Sequence, residues 1–452
     1  MQKYLIKNIS IVNENVIQTG DVLISGQRIE KIAQGIQPSS NCIEINGEGK
    51  YLLPGCIDDQ VHFREPGLTH KASIYTEARA AVAGGVTSFM EMPNTQPPVF
   101  TQDLLEQKYM IGANTSLANY SFFMGTSNDN LDEVLRTNEK KDAVCGVKIF
   151  MGSSTGNLLV DNYLTLNRIF SETELLIATH CEDEAIIRRN HDQLKASKEV
   201  LEPSDHPVIR DAEACFESSF RAVQLAKQTG ARLHILHIST ARELQLFTNL
   251  LPLEEKQITA EVCVHHLHFT SEDYDALGNQ IKCNPAIKGI TNKEALWSAL
   301  LDDRLDVIAT DHAPHTWDEK SQPYEKAPSG IPLVQHSLLL MLDYHKQGII
   351  SLEKIVDKMS HSVARCFRIK ERGYIREGYF ADLVIVDLNR ATTVEKTDLL
   401  YKCGWSPFEG KTFPAAVTHS FVNGLLAFDN SEPVNGPRWN EEKKGMRLNF
   451  DR

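Results

Sequence analysis

The chain has 452 residues, 42% of them hydrophobic, and a formal net charge of -13 at pH 7. That length suits one large α/β barrel with a small attached domain, and the acidic surplus excludes the clustered Lys and Arg that phosphate-backbone binding needs. No apolar run approaches the ~18 residues of a membrane span and residues 1–7 lack the apolar core of a signal peptide, so a cytoplasmic protein with neither a nucleic-acid nor a membrane partner is expected.

Residues 1–53 alternate apolar and polar positions between turn signals at Asn13-Glu14-Asn15, Ser25-Gly26 and Asn46-Gly47, which predicts short antiparallel strands. From residue 54 the texture changes to apolar strand runs separated by amphipathic helical segments, the pattern of βα units around a parallel sheet. Strands are predicted at 56–62, 86–92, 119–125, 144–150, 175–180, 232–237, 257–265 and 305–311, with covering helices such as 74–83, 211–228 and 293–301. Eight strands in this order predict a TIM (β/α)8 barrel over 54–367. The segment 312–332 is long, polar and Pro/Gly-containing and reads as a mobile rim loop. After a helical stretch at 360–367 the β texture returns in residues 368–452, notably at 378–387. The nine cysteines contain no Cys-x-x-Cys pair and fit a reducing compartment better than a disulfide framework.

The richest stretch is Pro54-Gly55-Cys56-Ile57-Asp58-Asp59-Gln60-Val61-His62-Phe63-Arg64-Glu65-Pro66-Gly67. Side chains on a strand repeat every second residue, so Gln60, His62 and Arg64 share one face beside a Pro-Gly stop. His62, Lys148, His180, His237 and Asp311 each close an apolar run on predicted strands one, four, five, six and eight. Barrel strands deliver their carboxyl ends to one face, so these five are expected to meet there. Each has a bland alternative: a core histidine for His180 or His237, a snorkelling lysine for Lys148, a helix N-cap for Asp311. His234, three residues before His237, is expected on the other side of the pleat, pointing outward. Lysine is almost never fully buried unpaired, and burial lowers its pKa, making a neutral nucleophilic amine available at Lys148.

The Pro54 to Gly67 stretch resembles the first-strand motif of the dihydroorotases of the amidohydrolase superfamily, in which two histidines one residue apart bind a metal and Arg-Glu-Pro-Gly follows. Gln60 stands where the first of those histidines is expected. Asp311-His312-Ala313-Pro314-His315 resembles the family's last-strand motif, and residues 378–387 and 405–410 its C-terminal segments. The resemblance implies a composite β domain built from 1–53 and 368–452. It implies a metal held by His62, Lys148, His180, His237 and Asp311, with Lys148 carrying a carbamate. Zinc is expected as one or two ions, with manganese or cobalt as alternatives. The second ion is weakened because the carbonyl oxygen of Gln60 is a poorer zinc ligand than imidazole. Asp311 would be the catalytic proton shuttle, and Arg64, Asn94, Asn284 and His315 would bind substrate. The implied activity is reversible hydrolysis of dihydroorotate to N-carbamoyl-aspartate in pyrimidine biosynthesis. Two alternatives stay open, a hydantoinase- or allantoinase-type cyclic amidase and a catalytically silent partner subunit. A homo-oligomer is compatible with the sequence.

Overall fold

The computed structural model describes residues 2–38, 41–152, 158–432, 436–442 and 444–452. Its first five strands are β1 (Lys3–Asn13), β2 (Val16–Ser25), β3 (Arg28–Ala33), β4 (Cys42–Asn46) and β5 (Tyr51–Pro54). Glu14 and Asn15 join β1 to β2 with φ of 49° and 61°. Two consecutive positive φ values make the type I′ turn, whose twist matches that of the flanking strands.

Next come β6 (Cys56–Val61), β7 (Val86–Glu91), β8 (Asn119–Phe122) and β9 (Met124–Gly125). They are followed by β10 (Val147–Phe150), β11 (Ile177–His180), β12 (Leu233–Ile235), β13 (Ile258–Cys263) and β14 (Val307–Ala309). β6–β7–β8 form one parallel arc and β9 to β14 another. Only Phe123 separates β8 from β9, and a parallel bridge from Val61 to His312 joins the last strand to the first. The two arcs therefore close into an eight-stranded parallel barrel. The helix Ile74–Ala83 has the bounds expected from its apolar spacing, because Ser73 caps it by accepting from Thr76 N.

Inside the barrel, Ile57, Met90, Ala178, Leu236 and Val307 pack against Val363 and Phe367 of the helix Ser362–Phe367. Arg232 donates to Cys366 O at 2.6 Å and Lys358 to Leu305 O at 2.7 Å, which fixes that helical segment beneath the amino ends of the strands. His234 departs from expectation. It is fully buried, with Nδ1 2.7 Å from Thr259 Oγ1 and Nε2 3.2 Å from Asp59 Oδ2. Asp59 lies on β6 and His234 on β12, which are not neighbours in the barrel wall, so they meet across its interior. Strict alternation fails because β12 ends at Ile235 and His237 takes a φ of 41°, which lets two histidines three apart both face inward.

The C-terminal strands are β15 (Leu383–Asp387), β16 (Thr392–Thr393), β17 (Thr412–Phe413), β18 (Ala416–Val422), β19 (Leu425–Asp429) and β20 (Arg438–Trp439). β16 pairs only with β17. The others join the N-terminal strands in one nine-stranded sheet of order β20-β19-β18-β15-β5-β1-β2-β3, with β4 beside β1. Strands from both ends of the chain thus share a sheet, and β5 leads directly into β6. Among the described residues no helix is long and apolar enough to cross a membrane, and all nine cysteines are free thiols.

Asp382 stitches this junction. Its carboxylate pairs with Arg372 and accepts from Asn423 N at 2.7 Å, while its carbonyl accepts from Gly55 N at 2.8 Å, and both charged side chains are buried. Removing one member of a buried pair leaves the other charge uncompensated. Asp382→Ala is expected to destabilise the fold by about 3–5 kcal/mol in denaturant titration, with part of the loss recovered when Arg372→Met is added. A single-variant loss below about 1 kcal/mol would contradict this role.

Candidate active site

The carboxyl ends of the barrel strands surround a cavity of about 340 Å³. His62, Lys148, His180, His237, Asp311, Arg64, Asn94, Asn284 and His315, the whole predicted set, line it together with Gln60. Residues that are far apart in sequence meet because each stands at or just beyond the end of a parallel strand.

One side is built from β10, β11 and β12. Lys148 is 1% exposed, and its Nζ has no hydrogen-bond partner among the described residues, with the Phe150 ring centroid 4.6 Å away. Burial pushes its pKa down to about 7, against the pull of Asp311 and Glu261. His180 Nδ1 and His237 Nε2 face each other at 3.0 Å. His180 Nε2 lies 3.1 Å from Glu182 Oε2, which is paired in turn with Arg210 Nη1 at 2.5 Å. This fixes which ring nitrogen His180 turns to the cavity. The His237 backbone N–H donates to Glu261 Oε1 at 3.0 Å, which holds the positive-φ bend that aims the ring inward. Burial, reinforced by His180 and Lys148, keeps the His237 ring neutral.

The opposite side comes from β6 and the segment after β14. Gln60 Nε2 donates to Asp311 Oδ1 at 3.1 Å, and His62 Nε2 lies 3.1 Å from the same oxygen. His62 Nδ1 is 2.7 Å from Asn94 Oδ1.

Arg64 donates from Nε to Pro314 O at 3.0 Å and sets Nη2 3.0 Å from His315 Nε2. Its Nη1 has no protein partner and it forms no ion pair among the described residues, although the side chain is 7% exposed. Burial brings its pKa down to about 10. Lys71 Nζ sits 3.0 Å from His315 Nδ1 and 2.8 Å from Glu319. Burial and the Arg64 charge together keep His315 neutral. The segment 312–332 carries the helix Trp317–Lys320 and is pinned by Lys320 Nζ, which donates to the carbonyls of Lys282, Pro328 and Gly330. Asn284 Oδ1 is 3.1 Å from His206 Nε2, whose other nitrogen meets Tyr324 Oη at 2.8 Å.

Several supporting residues were not anticipated. Glu182 follows His180 by two positions, so the strand period was a usable signal for it. Arg210, Glu261, His206 and Lys71 reach the site from helices, loops or neighbouring strands, and no local spacing marks them. Trp405 comes from the C-terminal segment and donates from Nε1 to His315 O at 2.8 Å. The strand predicted to run to 265 stops at Cys263, so His265 and His266 lie in the short helix Val264–His268 that follows it and do not line the cavity; His266 Nε2 is 3.1 Å from Pro285 O.

Burial alone would raise the Glu182 carboxyl, but Arg210 and His180 outweigh it and bring it from 4.5 down to about 2. A depressed carboxyl contributes stability that is full above its unfolded value and is lost as pH falls through the folded value. The thermal midpoint of the parent should therefore fall more steeply below about pH 4.5 than that of Glu182→Gln. Parallel acid profiles would sink this assignment.

The model of the amidohydrolase family matches residues 51–426. A dihydroorotase from Halobacterium salinarum is 32% identical over 427 residues, covering 93% of this chain and 96% of its own. One from Listeria innocua is 31% identical over 95% of this chain and 99% of its own. Among solved structures, an L-hydantoinase (dihydropyrimidinase) from Arthrobacter aurescens superposes with a TM-score of 0.88 at 25% identity, covering 94% of this chain and 95% of its own. A dihydropyrimidinase from Brevibacillus agri gives a TM-score of 0.86 at 24% identity, covering both chains fully, and shares the fold. The chain belongs to the amidohydrolase family and, within it, to the dihydroorotases.

Proposed function

We propose that the protein catalyses reversible hydrolysis of the cyclic amide of dihydroorotate to N-carbamoyl-aspartate in pyrimidine biosynthesis, in the cytoplasm. The observation that carries this reading beyond a generic cyclic amidase is Arg64. A buried guanidinium with no carboxylate partner is costly unless a ligand supplies one. Its free Nη1, on a guanidinium that lines the cavity, makes that end a receptor for a carboxylate, which dihydroorotate has and plain hydantoin lacks.

The donor set on the other side fits a metal. Lys148 Nζ is buried without a partner, and His180 and His237 turn ring nitrogens towards each other at 3.0 Å. Zinc is the reading that suits imidazole and carboxylate donors, with manganese or cobalt also compatible. A bound ion would supply Lewis acidity towards the amide carbonyl and would acidify a water. Lys148, His180 and His237 would hold it. Lys148 would do so after its neutral amine adds to carbon dioxide, forming an N–C bond and losing a proton to leave an anionic carbamate. Asp311 has its Oδ1 fixed by Gln60 and His62, while Oδ2 makes no hydrogen bond to the described residues. Oδ2 is the atom that takes a proton from the attacking water and returns it to the leaving ring nitrogen. Asn94 and Asn284 orient the ring through their amides, and His315 steadies Arg64.

Arg64→Ala is expected to lower kcat/KM for dihydroorotate on the order of ten- to a hundredfold with unchanged metal content, since a charge-assisted hydrogen bond is worth roughly 1.5–3 kcal/mol. Arg64→Lys keeps the charge, loses the fork and should fall between. Dihydrouracil, which lacks the carboxylate, should be a poor substrate and nearly indifferent to either change. Equal turnover of dihydroorotate, hydantoin and allantoin in one assay would move the reading to a general cyclic amidase.

Lys148→Ala should lose both metal and activity, and short carboxylic acids added to the variant should restore part of each. A bare amine at Lys148 in the metal-loaded protein would exclude the carbamate.

A further inference from the structure

The cavity is asymmetric in its unmet bonding. On the Lys148 side, the amine has no partner and the rings of His180 and His237 meet nitrogen to nitrogen. On the other side the groups face one another, and Asp311 Oδ2 is left without a hydrogen bond among the described residues. Gln60 Nε2 and His62 Nε2 both lie 3.1 Å from Asp311 Oδ1, His62 Nδ1 lies 2.7 Å from Asn94 Oδ1, and Gln60 Oε1 faces Cys263 Sγ at 4.0 Å. For Gln60 to offer oxygen where its amide nitrogen now sits, the amide must turn over. That turn would set its oxygen against a carboxylate oxygen and its NH2 against the thiol of Cys263. The Cys263 sulfur, whose proton can go to Glu261 Oε1 at 3.3 Å, could accept weakly from that NH2, but the Gln60 side chain is 2% exposed and no solvent relieves the oxygen–oxygen contact. The atom turned towards Asp311 is a donor, which suits a carboxylate and cannot bind a cation.

We propose that Gln60 is a positioning residue, holding Asp311 by a hydrogen bond and taking no part in metal binding, and that the site accordingly holds one ion per chain, on the side of Lys148, His180 and His237. This rests on the dihydroorotase reading above. With Oδ1 held from two directions the carboxylate plane of Asp311 cannot rotate, and Oδ2 stays aimed at the position of the leaving nitrogen. The glutamine thereby occupies the place a second ion would need and performs through hydrogen bonding the orienting that a second ion would otherwise perform.

The test uses the full-length protein dialysed against buffered zinc, with metal per chain measured by mass spectrometry of the digested sample. The parent should saturate at one ion per chain and Gln60→His at two. Gln60→Leu should stay at one ion while kcat falls about tenfold and KM for dihydroorotate is unchanged, the pattern of a group that acts on a catalytic residue rather than on substrate binding. Two ions of similar affinity in the parent, loss of the single ion in Gln60→Leu, or an unchanged kcat in that variant would each overturn the proposal. The parent count decides the number of ions even where the leucine variant does not fold. Two ions with normal dihydroorotate turnover would overturn this inference and leave the assigned reaction standing. Absence of both metal and turnover would overturn the two together.

Discussion

An unpartnered amine in the middle of a protein is an expense that the rest of the fold must carry. Lys148 stands on the barrel strand β10, 1% exposed, with no acceptor for its protons among the described residues. Removing a cation from water without a partner costs several kcal/mol, and the group relieves that cost by shedding its proton. The strand cannot slide to release it, because the barrel is closed and its lower end is plugged by the helix Ser362–Phe367. Closure is therefore what keeps the amine buried. An open sheet would let the side chain reach solvent and regain its charge.

The polar groups around the amine are arranged in layers that differ in charge. Beneath it, Asp59, His234 and Glu261 form a fully buried cluster whose imidazole lies between two carboxylates. Beside it, Glu182 and Arg210 brace His180. Across the cavity, Arg64 and the Lys71–Glu319 pair flank a neutral His315. On the proposed reading, a small molecule entering this space would meet the lysine and histidines at one end and the Arg64 guanidinium at the other, and that separation would set its orientation before any bond changes.

Much of this arrangement was legible in the sequence because it depends on local periodicity. Five of the eight predicted barrel strands end at or near a polar, site-type residue after an apolar run, and parallel strands in a barrel leave no choice about where those ends gather. The amphipathic spacing of 74–83 matches the helix found there, although its cap at Ser73 emerged only with the structure. What was not legible depends on departures from regular geometry or on distant partners. His234 faces inward only because the backbone leaves β12 at Ile235 and bends at His237, and no count along an ideal strand reveals that. Arg210 reaches Glu182 from a separate helical loop, and the sequence separation carries no hint of it. The role of Gln60 could be posed from the sequence as a weak ligand, but its alternative as a donor became visible only with Asp311 opposite it.

Strands from the two ends of the chain are interleaved, with β5 lying between β1 and β15, and the indole of Trp405 fastens to the carbonyl of His315. During synthesis, β5 must wait for more than three hundred residues before its second neighbour emerges. Pairing over such a separation is slow and leaves an apolar strand edge uncovered meanwhile. The wall around His315 is likewise incomplete until residue 405 has been made. Chains released early thus carry the histidines and the lysine of the barrel but lack the clasp behind His315, so the two sides of the cavity are completed at different stages of synthesis.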